Sequence, residues 1–302
     1  MSTRPTANAL ASLDGKEGIS PELLALESRL LDWRQSLTGE IRSCYPEPKP
    51  DPSILTEVLE SGSTLVTVLD PLPQTTLLSK ALTQFLAATQ SILPAAGDLS
   101  RWLARMDCNQ GEQKLARWFT ASWKGDQGQL EALAVDSGLE VGVLEWTGRQ
   151  LAKPFFHRWG EIIAGHPAFE SRDPLSAGCP ACGGPPRMGR YEREEGRRFL
   201  WCDLCNLQWV FPRLTCAFCL NRDQVKLGFL TIEGADPYRI DVCEVCRGYL
   251  RALDERKLPE DSRVDFLIED VGTLHLCILA EKEDFRQGSM TGSAPAGPSP
   301  VN

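Results

Sequence analysis

Apolar residues recur at helical spacing through the first half of the chain. Ser20 stands as a hydroxyl cap before Pro21 at the first helical position, and behind it Leu23, Leu26, Leu30, Trp33 and Leu37 return every three or four residues. The proline-rich run from Tyr45 to Pro52 halts that helix, because each proline removes an amide donor and extends the backbone before it. Asp51-Pro52 then caps a second helix through Ile54, Leu55, Val58 and Leu59. Residues 74–93 carry Leu78, Leu82, Phe85, Thr89 and Ile92 along one face and stop at Pro94 and Gly97. Further helical stretches follow at 99–106, 112–123, 127–136 and 141–164, the last kinked by Pro154. No sizeable stretch alternates with a period of two, so residues 19–168 are predicted to be an all-helical domain behind a flexible polar lead-in, 1–18.

After a short polar linker, 169–178, the period changes. Alternating apolar and aromatic residues at 187–191 and 198–201, and again at 225–232 and 238–242, flank Gly-containing turns and predict two β-hairpins. Each hairpin lies between two Cys-x-x-Cys pairs: Cys179 and Cys182 before the first, Cys202 and Cys205 after it, Cys216 and Cys219 before the second, Cys243 and Cys246 after it. A Cys-x-x-Cys turn places two sulfurs on one side of a tight loop, and two such turns complete a tetrahedral four-thiolate cage, so two metal ions are expected. Consecutive pairing of the four turns is the simplest assignment, with a cross-braced pairing, first with third and second with fourth, as its alternative. The fold class is therefore multidomain α and small β: the helical domain, then two rubredoxin-like (zinc-ribbon-like) metal modules at 179–212 and 213–286. The second module includes a strand at Tyr249-Leu-Arg-Ala-Leu253 and a C-terminal helix at 265–285 with Leu267, Val271, Leu274 and Ile278 on one face. Residues 287–302, rich in Gly, Ser and Pro, are expected to be disordered.

Four thiolates suit zinc and suit a single rubredoxin-type iron equally well. Iron knuckles commonly use positive φ after the second cysteine, so that amides point at sulfur. Gly183 and Asn206 tolerate that conformation, whereas Leu220 and Arg247 are poorer fits, so the first cage is expected to be the more rubredoxin-like. Four protein ligands leave no open coordination position, which counts against metal-assisted hydrolysis. The chain also lacks a phosphate-cradling Gly loop, a nucleophile elbow and paired His on a helix, so it is not expected to be an enzyme. His157, His166 and His275 stand apart from ligand spacing, Trp102, Trp118, Trp123, Trp146 and Trp159 occupy apolar helix positions, and Cys44, Cys108 and Cys277 read as ordinary small core residues.

At 302 residues with a formal net charge of -9, the chain is acidic, which disfavours nonspecific nucleic-acid binding. Arg187, Arg190, Arg193, Arg197 and Arg198 cluster in the first hairpin, but Glu192, Glu194 and Glu195 are interleaved with them, giving a mixed-charge hairpin rather than a phosphate-binding strip. No signal segment opens the chain and no run reaches the length of a membrane span. The expected compartment is a reducing cytoplasm, where clustered cysteines among the eleven present mean metal rather than disulfide.

The order of these motifs resembles a known family. A helical amino-terminal region, then Cys179-Pro-Ala-Cys182-Gly-Gly, Trp201-Cys202-Asp-Leu-Cys205, Cys216-Ala-Phe-Cys219, Cys243-Glu-Val-Cys246 and the closing Asp270-Val-Gly-Thr-Leu-His-Leu segment is similar to the formate dehydrogenase accessory protein FdhE family, over about residues 130–286. The resemblance implies a maturation protein that binds the formate dehydrogenase catalytic subunit in the cytoplasm, with iron in the two rubredoxin-like modules favoured over zinc. The competing classes are a zinc-ribbon nucleic-acid-binding protein and a rubredoxin-like electron carrier.

Overall fold

The structure, a computed structural model, describes residues 10–14, 19–44, 50–69, 72–105, 108–171, 178–231 and 236–288. It divides into two compact units, 1–50 with 69–160, and 51–68 with 161–302.

The first unit is helical: α1 (Pro21–Cys44), α4 (Thr75–Thr89), α5 (Ala95–Ala104), α6 (Cys108–Lys124), α7 (Gln127–Ser137) and most of α8 (Val141–Ala164). Leu30, Leu37, Leu78, Phe85, Trp118, Phe119, Leu144 and Phe156 are sealed from solvent and form its core. Trp102 and Trp118 meet edge-on at 5.9 Å, and Trp33 meets Phe85 at 5.3 Å, so these indoles pack the interior. Trp102, Trp118 and Trp159 are buried, whereas Trp123 and Trp146 are half-buried. Pro154 lies within α8, and Gly97, expected as a terminator, sits inside α5, which starts directly after Pro94. In the expected lead-in, Ala11–Leu13 form a 3-10 turn and Leu10 and Leu13 are buried; residues 1–9 and 15–18 lie outside the described residues.

The second unit is built on one seven-stranded sheet. Its strands are β1 (Met188–Tyr191), β2 (Arg198–Trp201), β3 (Gln208–Val210), β4 (Leu227–Thr231), β5 (Tyr238–Cys243), β6 (Gly248–Asp254) and β7 (Arg286–Gln287). The order is β3-β2-β1-β6-β5-β4, with β7 pairing β6. The two predicted hairpins and the strand at 249–253 are present, and β3 adds a strand the sequence does not signal, so that each ribbon is an antiparallel three-strand meander; the two are fused, β1 pairing in parallel with β6, Met188 opposite Arg251 and Tyr191 opposite Asp254. The first strand of one ribbon thus joins the third strand of the other, head to tail. β6 is buried along its whole length, charged residues included.

Four features depart from the sequence-based layout. Residues 51–68, which form α2 (Pro52–Ser61) and α3 (Leu65–Val68), belong to the cysteine-bearing unit rather than to the helical one. The short α9 (Ala168–Ser171), in the expected linker, packs on α2; residues 172–177 lie outside the described residues. The single closing helix is two helices, α10 (Phe266–Gly272) and α11 (His275–Lys282). The physical reason lies in what each covers. Phe266 of α10 stacks on Trp201 at 5.2 Å and packs with Met188, both in the first ribbon, whereas Leu276 and Ala280 of α11 bury Ile240, Val242 and Tyr249 of the second. The restart at His275 resets the helical phase, which leaves Ile278 58% exposed although the sequence places it on the apolar face. Gln287, assigned by the sequence to a disordered tail, is in β7; the rest of that segment, 289–302, lies outside the described residues.

Candidate metal centres

Four turns bring the eight cysteines into two groups, Cys179, Cys182, Cys202 and Cys205, and Cys216, Cys219, Cys243 and Cys246, with all four sulfurs of each group within 4.8 Å of one another. The pairing is therefore consecutive, and the cross-braced alternative is excluded. Among the described residues these are the only groups of three or more His, Cys, Asp or Glu able to hold a metal, so His157, His166 and His275 stand apart. His166 instead accepts the amide of Ala168 at 3.3 Å. Cys277 is half-buried on α11, and the side chains of Cys44 and Cys108 lie outside the described residues.

All four turns share one backbone design. The residue after the second cysteine has positive φ in each: Gly183 at 73°, Asn206 at 60°, Leu220 at 58° and Arg247 at 54°. The expectation that the first cage is the more rubredoxin-like fails here, because Leu220 and Arg247 adopt the left-handed conformation their side chains disfavour. In three of the turns that residue's amide returns to the carbonyl of the first cysteine, Gly183 to Cys179 at 2.7 Å, Asn206 to Cys202 at 2.9 Å and Leu220 to Cys216 at 3.2 Å. The first-cysteine amides of the same turns bond to the carbonyls of Gly184, Leu207 and Asn221.

For Arg247 the compensation is visible. Its guanidinium donates to the carbonyls of Glu283 at 2.8 Å and Asp284 at 3.3 Å, just past the last residue of α11, and lies 3.9 Å over the Phe285 ring. A cation is favourable there, since the last helix carbonyls lack intrahelical donors. The fourth turn is thereby fastened to the closing helix.

The donor sets fit a tetrahedral metal. Sulfur separations across the turns are 3.2 Å for Cys179 and Cys205, 3.5 Å for Cys182 and Cys202, 3.6 Å for Cys216 and Cys246, and 3.8 Å for Cys219 and Cys243. A metal–thiolate bond of about 2.3 Å places tetrahedral sulfurs about 3.8 Å apart. Protonation chemistry points the same way. In the first group hydrogen bonds from Cys179, Cys182 and Cys205 hold Cys202 low; Cys182 is held up by its bonds with Cys179 and Cys202, and Cys205 by burial. In the second, its bond with Cys246 and burial push Cys216 up. Four clustered thiols therefore do not ionise together unless a cation replaces their protons. Amides of Gly184 and Phe218 approach the sulfurs of Cys182 and Cys216 at 3.4 and 3.5 Å.

Around the cages the charged residues are engaged. Arg187 pairs with Asp270 at 3.0 Å, Arg190 with Glu255 at 2.7 Å, Arg197 with Glu192, and Arg198 with Asp241 at 2.9 Å; Arg193 donates to the carbonyls of Leu258 and Pro259. Arg198 thus ties ribbon to ribbon, Arg187 reaches α10, Arg190 and Arg193 reach the β6–α10 connection, and Arg197 is paired within its own hairpin. Sequence reasoning passed over Thr64, Leu65 and Val66: the amides of Leu65 and Val66 donate to the carbonyls of Pro180 and Ala181 at 3.1 and 3.2 Å, laying the start of α3 on the first turn. Nothing in the short stretch after Gly62 signals that role.

Comparison with known proteins places these features in context. Residues 178–213 match the family model described as FdhE, central domain. Relatives named Protein FdhE homolog include those of Stutzerimonas stutzeri, 34% identical over 36% of this chain and 35% of that protein, and Pseudomonas aeruginosa, 33% identical over 39% and 40%. That of Aquifex aeolicus is 30% identical over 50% of this chain and 52% of its own length. The chain is thus matched over roughly a third to a half of these curated relatives. The crystal structure of the FdhE protein from Pseudomonas aeruginosa has the same fold, with a TM-score of 0.64 at 23% identity over 98% of this chain and 99% of that one.

Proposed function

We propose that the chain belongs to the FdhE family, whose central-domain model it matches over residues 178–213, and that it is a cytoplasmic accessory protein that binds the catalytic subunit of formate dehydrogenase and supports its maturation, without catalysing a reaction of its own. The observation that carries this reading is the pair of closed four-thiolate cages on one fused sheet, joined to the match of residues 178–213 to the FdhE central-domain model. Cys179, Cys182, Cys202 and Cys205 would hold one metal ion, and Cys216, Cys219, Cys243 and Cys246 the other. A bound metal supplies four thiolate bonds that lock each hairpin, and iron would add a one-electron couple. All four positions of each cage are filled by protein, which leaves no place for substrate or water. Among the described residues no helix is long and apolar enough to cross a membrane.

The test is affinity purification of the tagged full chain from cells expressing formate dehydrogenase, with mass spectrometry of what is retained. Recovery of the catalytic subunit, lost when Cys202 and Cys243 are both replaced by Ser, supports the reading. Retention of nucleic acid or of unrelated enzymes in its place overturns it.

A further inference from the structure

The two cages share a backbone design and differ in what covers them. In the first, no cysteine is more than 4% exposed. The start of α3 lies on its first turn through the Leu65 and Val66 amides, and Thr64 sits against Gly183, so that a β-carbon there would meet the threonine methyl at 3.4 Å. On its second turn, Leu204 is fully buried, and the Trp201 indole donates to the Asn206 side chain at 2.8 Å.

Around the second cage, Cys216 and Cys243 are buried, Cys246 is half-buried and Cys219 is exposed. Val245, which occupies the position of Leu204 in the repeat, is 50% exposed, and Leu220, next to Cys219, is 36% exposed. The closing segment covers only part of this cage: Arg247 is fastened to the end of α11, and Gly288 packs on Phe218. No described segment lies over Cys219 as residues 64–66 lie over the first turn.

We propose that the second cage is an exchangeable metal site that opens through Cys219, whereas the first is a sealed clamp. The proposal rests on the reading that both groups hold metal. Thiolate-bound metals exchange when a competing ligand reaches the coordination shell, and the surrounding side chains control that access. Cys219 is the point of entry. With a metal bound, its exposed sulfur would be the ligand that a competing chelator reaches and displaces first, while Cys216, Cys243 and Cys246 would keep their hold. The first cage offers no such approach until residues 64–66 lift from Pro180 and Ala181, a local opening that costs the contacts of α3.

The test uses the full chain loaded with zinc. Two zinc ions per chain are expected; fewer overturns the metal reading and the proposal with it, and that outcome is told apart from failure of the asymmetry by the metal count alone. Challenged with excess 4-(2-pyridylazo)resorcinol, the protein should release one zinc roughly tenfold faster than the other, the scale on which groups surrounding a metal alter its affinity. Cys219→Ser should abolish the fast phase and keep the slow one. Brief treatment of the zinc-loaded wild-type chain with N-ethylmaleimide, followed by peptide mass spectrometry, should place the first adduct among the eight cage cysteines on Cys219 and none on Cys179, Cys182, Cys202 or Cys205, whatever the labelling of Cys44, Cys108 and Cys277. Release of both ions at one rate, or a first adduct within the first cage, overturns the proposal. The labelling arm needs no variant, so it decides the matter even if Cys219→Ser does not fold.

Discussion

The guanidinium of Arg251 and the carboxylate of Asp270 meet between β6 and α10, with Arg251 only 2% exposed. Arg251 also donates to the Asp270 carbonyl at 2.7 Å and to the Thr273 hydroxyl at 2.8 Å, and Arg187 of the first ribbon shares the same Asp270 oxygen at 3.0 Å. One carboxylate therefore holds an arginine from each ribbon. Asp270→Asn leaves both guanidinium groups without their counter-charge, and removing one partner of a buried pair costs about 3 kcal/mol or more. Urea denaturation of the metal-loaded protein should show that loss; a change within about 0.5 kcal/mol, the level of a surface substitution, would refute the account.

Consecutive pairing predicts independent cages. Cys202→Ser should lower the metal content from two ions to one by emptying the first cage, and Cys243→Ser should do the same at the second. Metal analysis of the two variants and of the double variant, expected to bind none, checks this. Loss of both ions from either single variant would show that the cages are linked.

Leu220 and Arg247 hold the same left-handed backbone but differ in what their side chains touch. Leu220→Gly relieves the strain at a partly exposed position and should stabilise by about 1 kcal/mol. Arg247→Gly gains the same relief yet loses the bonds to Glu283 and Asp284 and the Phe285 stack, so it should destabilise. Thermal melts of the two variants should move in opposite directions.

In the helical unit, Gly148 of α8 lies against Ser122 of α6 so closely that an added β-carbon would sit 2.0 Å from the serine hydroxyl and 2.4 Å from its β-carbon. Gly148→Ala should force the helices apart and cost about 2 kcal/mol, an overpacking penalty. Ser122→Gly in the same chain should recover part of that loss, as read by chemical denaturation.

Acid should weaken the β6 end of the sheet. The Arg256 guanidinium, bonded to Asp254 at 2.6 and 2.7 Å, holds that carboxyl below its ordinary range. A lowered folded-state value means the stabilisation is present above about pH 4, the ordinary aspartate value, and fades as pH falls below it. Arg256→Ala should shrink the stability difference between neutral and acid pH, measured on zinc-free protein so that metal loss does not contribute.

Local chemistry made much of this molecule legible in its sequence. The Cys-x-x-Cys turns, the hairpins between them, β6 at Tyr249–Leu253 and the helices of the first unit follow from periodicity and turn residues close at hand. The parallel pairing of β1 with β6 left no such trace, because Met188 and Arg251 carry no reciprocal signal across the second hairpin. Residues 51–68 read as ordinary helix, and only their tertiary partners assign them to the cysteine-bearing unit. Propensity misjudged Leu220 and Arg247, where the turn's hydrogen bonds outweigh the left-handed penalty. Gly272 reads as only a mild interruption of one helix; the full break at Thr273 arises because the chain changes partners there, a fact about packing rather than about the helix.

The head-to-tail sheet also dictates an order of events during synthesis. β1 leaves the ribosome a full ribbon ahead of β6, its parallel neighbour, so the first ribbon emerges with its β1 edge open. Its own hairpin and cage can form at once from nearby residues, but the edge closes only when the second ribbon has been made. A chain stalled between the two would present β1 to any extended strand within reach, and the interval before β6 arrives is when this protein is most exposed to mispairing.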